Sequence, residues 1–148
     1  IGDFVRLRGA YVIKADEVVK DAAGEIVEIL ASLVAGTVGA NPPPEFKPRG
    51  VIHWVSKEHA VPCELRIYDR LFVEANPDKN KEKSFTQLIN PDSLRVVAQA
   101  WAEPSLKSAQ VEDGYQFERT GYFVADTDST SDKLVFNQTL PLRESKAK

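Results

Sequence analysis

Arg6 and Arg8 alternate with Val5 and Leu7, the period of a strand with one buried face. On a strand, residues two apart share a face, with Cα atoms roughly 6.6–7 Å apart. Two guanidinium forks at that spacing can engage neighbouring phosphates or bases, for which arginine is better shaped than lysine. The plainer alternative is a solvent face opposite a Val/Leu core stripe, and pattern alone favours it. A second polar set lies late in the chain, at Gln116, Glu118 and Arg119. Read as one strand, this region puts Gln116 and Glu118 on one face and Tyr115, Phe117 and Arg119 on the other. An unpaired uracil presents two carbonyl acceptors and one N–H donor, and a glutamine amide carries both an acceptor and donors to match that edge. A neighbouring carboxylate can hold an arginine in place or accept from a base N–H. Ordinary cross-strand polar pairing on an exposed sheet is the competing reading.

Other reactive types point nowhere as definite. His53, His59 and Cys63 read H-x5-H-x3-C, which is no compact structural zinc spacing, and no fourth ligand is evident. Cys63 lacks an orienting partner or an oxyanion site for nucleophilic work. Trp54 can stack on a base, although an aromatic between Ile52 and Val55 belongs more readily to a core. Lys79, Lys81 and Lys83 alternate with Asn80 and Glu82 as in a solvated loop, and Lys47 and Arg49 flank Pro48 in similar fashion. Asp126, Asp128 and Asp132 lie in a Ser/Thr-rich turn without the glycine and terminal glutamate of a calcium loop. No glycine-rich phosphate loop, nucleophile elbow or paired-histidine zinc motif is present.

The elements that must position these residues are mostly strands. Expected strands run through Val5 and Leu7, 11–13, 18–19 with 26–30, 51–55, 64–68, 94–101, 115–125 and 134–142. Asp21-Ala22-Ala23-Gly24 supplies the turn of a hairpin. The 36–50 segment carries four prolines and three glycines and reads as a long irregular connection. Residues 76–83 form a polar loop, and 85–89 suit a single helical turn before Asn90-Pro91. Short strands separated by turn clusters predict an all-β barrel or a pair of barrels.

The chain has 148 residues, with 43% hydrophobic and 28% charged, ordinary for a globular protein of one domain or two small ones. It begins with Ile1 and contains no methionine, so a processed product or a piece of something longer is expected. The longest apolar stretch, 26–38, is interrupted by Glu28 and Ser32 and is too short for a membrane span. A single cysteine precludes an internal disulfide and suits a reducing cytoplasm. A net charge of −3 argues against a non-specific nucleic-acid coat, yet leaves room for a small basic patch that reads a few nucleotides.

Five runs together resemble one known family. They are VRLRGAYVIK (5–14), GVIHWVS (50–56), CELRIYDRLF (63–72), AEPSLK (102–107) and YQFERTGYF (115–123). They are similar, in consistent order over nearly the whole chain, to the C-terminal anticodon-binding region of glutaminyl-tRNA synthetase, a class I aminoacyl-tRNA synthetase. The resemblance implies an all-β fold: one complete small β-barrel plus returning strands of a second. It places 1–90 mainly in a distal barrel and 91–148 mainly in the returning strands of a proximal one. It also implies that the partner is the anticodon loop of tRNA(Gln), with no DNA or membrane partner, and that the protein is cytoplasmic.

The same resemblance carries roles over to residues. Arg6 and Arg8 would contact the first anticodon base and its backbone. Gln116 would read the middle base, with Glu118 and Arg119 beside it. Glutamine anticodons carry uracil in the middle and glutamate anticodons carry cytosine, so discrimination falls there. The parent would use ATP with Mg2+ to activate glutamine and transfer it to tRNA. The two ATP-handling signatures of class I synthetases are missing here, so no catalytic residue or cofactor is expected in this stretch, which should be inactive alone. Two departures stand out. Leu33, Val34 and the triple proline replace a more polar family segment, and most readers of the third anticodon base would lie upstream of Ile1. Rival readings are the same module from a glutamyl-tRNA synthetase of the archaeal and eukaryotic type, or a non-catalytic β-barrel interaction domain.

Overall fold

A computed structural model describes residues 1–142, whose strands fall into two sheets. The chain divides into two compact units, Ile1–Trp54 and Val55–Lys148. The first holds β1 (Phe4–Leu7), β2 (Val12–Lys20), β3 (Ile26–Val34) and the two-residue β4 (Val51–Ile52), in the order β3-β2-β1-β4. Gly9, at φ 67°, lets the chain reverse between β1 and β2, where the amide of Leu7 donates to the carbonyl of Tyr11 at 2.9 Å. The β2–β3 reversal is built by Asp21, whose Oδ1 accepts from the amides of Ala23 and Glu25, each at 2.9 Å. β4 lies parallel to β1, a pairing that the 36–50 connection makes possible.

The second unit holds β5 (Val61–Tyr68), β6 (Leu94–Ala102), β7 (Gly114–Phe117), β8 (Gly121–Ala125) and β9 (Leu134–Pro141), in the order β6-β5-β9-β8-β7. Its core is one face of that sheet, gathered around Phe123 and Phe136, with Val61, Cys63, Leu65 and Leu134 beside them. Phe117 stacks on Phe123 with ring centroids 4.6 Å apart and meets Phe136 edge-on at 5.1 Å. Burying each such side chain is worth about 1.5–3 kcal/mol, so this aromatic cluster is the main anchor of the sheet. The expected helical turn forms as a 3-10 segment, Phe85–Leu88, closed by a reciprocal Ser84/Gln87 capping box. The boundary expected near residue 90 falls inside this unit, between β5 and β6, which pair along their length. Residues 143–148 of the later expected range lie outside the described residues.

The all-β class holds, but barrel closure does not. Each sheet is open among the described residues, because β3 and β4 end one sheet and β6 and β7 end the other. A barrel requires its first and last strands to hydrogen-bond, and neither pair does. A second correction concerns 115–125, read as one strand. Those residues form a hairpin, since the amide of Thr120 turns back to the carbonyl of Phe117 at 2.9 Å. Gly121 is required there by a close approach: a Cβ would stand 2.9 Å from the carbonyl oxygen of Leu140.

Candidate nucleic-acid interface

Arg6 is half-buried on β1, and its guanidinium is largely committed within its own unit. Nη1 donates to the carbonyls of Thr37 at 2.8 Å and Ala10 at 3.3 Å, and Nη2 donates to that of Ala40 at 2.7 Å. Two of its five N–H groups therefore hold the loop after β3, and a third holds the β1–β2 turn. That loop is pinned a second time by Thr37, only 1% exposed. Its hydroxyl donates to the carbonyl of Val34 at 2.7 Å and accepts from the amide of Val12 at 2.9 Å. The hydroxyl thus bridges two backbone groups that face each other across β2 and β3. Nothing in the local pattern around Thr37 announces this, because Thr in a Gly-rich turn reads as solvent-facing.

Arg8 does not share Arg6's strand. β1 ends at Leu7, and Arg8 stands exposed in the turn that follows, so the expected common face rests on turn geometry instead of strand parity. Its backbone is fixed on both sides: its amide donates to the carbonyl of Ile52 at 3.0 Å, and its carbonyl accepts from Trp54 Nε1 at 3.0 Å. Trp54 is 42% exposed, so it is a clamp on the arginine turn and no core residue.

The late polar set sits on one hairpin. Tyr115 and Phe117 face the core, which leaves Gln116 exposed on the outer face of the edge strand β7. Its amide makes no hydrogen bond among the described residues. Glu118 and Arg119 lie beyond the strand, in the β7–β8 turn, so strand parity does not assign their faces. Arg119 is exposed and takes φ 62°, a left-handed conformation that costs a non-glycine residue about 1–2 kcal/mol. Gln116, Glu118 and Arg119 are brought together; Arg6 and Arg8 form a separate group in the other unit.

A charge network that the residue pattern did not disclose braces β5 against the turn before β9. Glu64, 8% exposed, accepts from Lys133 Nζ at 2.7 Å and from Arg66 Nε at 3.0 Å. Arg66 Nη1 also meets Asp128 Oδ2 at 2.8 Å and Asp126 Oδ2 at 3.5 Å. Asp126 accepts in addition from the amide of Asp128 and from Asn137 Nδ2, while Asn137 Oδ1 accepts from the Tyr68 hydroxyl. Hydrogen bonds from Lys133 and then Arg66 hold the Glu64 carboxyl below its ordinary range. The Asp128 amide, then Asn137, do the same for Asp126. The three aspartates expected in a turn therefore divide, with Asp126 capping it and Asp128 pairing outward. Burial pushes the Cys63 thiol up to about 11, the reverse of an activated nucleophile.

A family model described as "tRNA synthetases class I (E and Q), anti-codon binding domain" matches residues 51–126. The chain belongs to that family. The matched span runs from β4 through β8, so it contains Gln116, Glu118 and Arg119 but neither Arg6 nor Arg8. Among curated proteins, the chain is 57% identical over 146 residues to the glutamine–tRNA ligase of Pseudomonas aeruginosa strain PAO1, covering 97% of this chain and 26% of that protein. It is 56% identical over 146 residues to that of Ectopseudomonas mendocina, with the same coverage, and 54% identical over 149 residues to that of Vibrio parahaemolyticus, covering all of this chain and 26% of the relative. The chain thus spans about a quarter of the length of these relatives.

Proposed function

We propose that this chain is the tRNA anticodon-recognition module of a glutamine–tRNA ligase. The observation that carries the reading is the family match, joined by relatives of that name aligned across nearly the whole chain. The partner is the anticodon loop of tRNA(Gln) in the cytoplasm. Its splayed bases meet polar side chains while arginines neutralise the phosphates. Gln116 reads the middle base: its amide is exposed and unspent, and the rigid Tyr115/Phe117 face behind it fixes where it points. Glu118 and Arg119 flank that base from the turn. Arg8 supplies charge to the first base and its backbone from the clamped β1–β2 turn. Arg6 reaches RNA through its two remaining N–H groups and otherwise shapes the loop around it.

In the parent, ATP with Mg2+ activates glutamine for transfer to tRNA. In this reading the chain's own residues bind and orient tRNA and carry none of the aminoacylation chemistry.

Binding of a glutamine anticodon stem-loop, followed by fluorescence anisotropy, tests this. Exchanging the middle uracil for cytosine should weaken binding, and Gln116→Ala should erase most of that preference, a cost of about 1–3 kcal/mol. A preference for the cytosine loop would overturn the glutamine reading in favour of a glutamate module, and equal affinity for both loops in favour of a non-catalytic interaction domain.

A further inference from the structure

We propose that Tyr122 is the stacking platform for the middle anticodon base, an assignment that rests on the anticodon-recognition reading. Its ring holds the face of the base whose edge Gln116 reads. Gln116 on β7 and Tyr122 on β8 are direct cross-strand partners, and Tyr122 in turn opposes Leu140 on β9. Residues opposed in this way share a face, with Cβ atoms about 4.5–5.5 Å apart. Phe117 and Phe123 take the other face, toward the core, so the row Gln116–Tyr122–Leu140 lies outside. All three are exposed, Tyr122 by 42% and Leu140 by 63%. A phenol ring beside a leucine on an open sheet forms an apolar step next to an unspent amide.

Local geometry fixes the strand beneath the ring. The β8–β9 register shifts between Tyr122 and Phe123 and leaves Thr139 as an extra residue on β9, a bulge that sharpens the local twist. The Thr139 hydroxyl donates to the Tyr122 carbonyl at 3.1 Å, and Gly121 lets the β9 backbone come close on the other side. The Tyr122 hydroxyl, by contrast, makes no hydrogen bond among the described residues. At the turn end of the row, Arg119, Thr120, Pro141 and Leu142 border an open cleft of about 740 Å³, room for the attached sugar and phosphate. Every base has a π-face, so stacking on an aromatic ring is tolerant of sequence, whereas an amide distinguishes base edges. Tyr122 thus supplies affinity and Gln116 supplies choice.

Anisotropy binding of the 148-residue chain to three glutamine anticodon stem-loops, with uracil, cytosine or no base at the middle nucleotide, tests this. Tyr122→Leu keeps an apolar neighbour for Leu140 and removes the ring. It should weaken the uracil and cytosine loops by a common factor of about ten to a hundred, keep the preference for uracil, and leave the abasic loop unchanged. Tyr122→Phe should recover the affinity for both base-bearing loops. The wild-type chain should itself lose at least that factor on the abasic loop, a measurement that needs no variant. Equal weakening of all three loops, or of none, would overturn the platform while the anticodon reading stands. So would loss of the uracil preference in Tyr122→Leu, since Tyr122 would then be reading an edge. A wild-type chain that binds the uracil and cytosine loops equally fails at the anticodon reading, and the platform falls with it.

Discussion

Replacing Thr37 by valine keeps the shape of the side chain and removes one hydroxyl. That hydroxyl bridges the Val12 amide at 2.9 Å and the Val34 carbonyl at 2.7 Å, and Val12 is fully buried. Leaving a buried donor unsatisfied costs about 1–3 kcal/mol, and the lost bond to Val34 adds about 1 kcal/mol. The expected loss is therefore about 2–4 kcal/mol, confined to the first unit. A unit this small has little stability to spare, so the variant should be close to unfolding. Trp54 reports on it directly, because its indole is held on the Arg8 carbonyl. In a Trp101→Phe background, urea titration followed by fluorescence should show Thr37→Val shifted by about 1.3–4 M at a slope near 1–1.5 kcal/mol/M. Thr37→Ser should recover most of the loss. A Thr37→Val shift under about 0.5 kcal/mol would mean that Val12 and Val34 close directly onto each other, and the bridging role would fall. Since Arg6 holds the Thr37 carbonyl, the same variant should also loosen that arginine.

Three further outcomes follow from the second unit. Glu64 and Asp126 have carboxyl groups held below their ordinary range, so the stability they supply is complete above the unfolded values of about 4 and is lost as pH falls through the lower folded ones. Acid titration of Trp101 fluorescence should show this, and Glu64→Gln should flatten the slope below that point; an unchanged profile would show that the Lys133 and Arg66 contacts contribute nothing. Arg119→Gly should stabilise the β7–β8 hairpin by up to about 1 kcal/mol in thermal melts while weakening stem-loop binding, because it relieves φ 62° and removes a charge. Cys63 should resist a thiol reagent at pH 8 until urea opens the sheet, as expected for a buried thiol raised to about 11; fast labelling of the folded chain would contradict that burial.

Local chemistry settled much of this protein before any contact was known. Alternation of apolar residues located the strands, Asp21 with Gly24 marked the β2–β3 turn, and the run 85–89 before Asn90-Pro91 marked a helical turn, because each rests on neighbours within a few residues. The five family-like runs likewise led to the anticodon-binding family, now met over 51–126. Tertiary structure decided what depends on distant partners. It set β4 parallel to β1, left both sheets open, and turned Glu118 and Arg119 out of the strand that parity had placed them in. It also committed three N–H groups of Arg6 to carbonyls up to 34 residues away and drew Glu64, Arg66 and Lys133 into one network. A periodic pattern states which face a side chain occupies; only the folded chain states which groups it meets there, because hydrogen bonds are settled by distances that sequence separation does not encode.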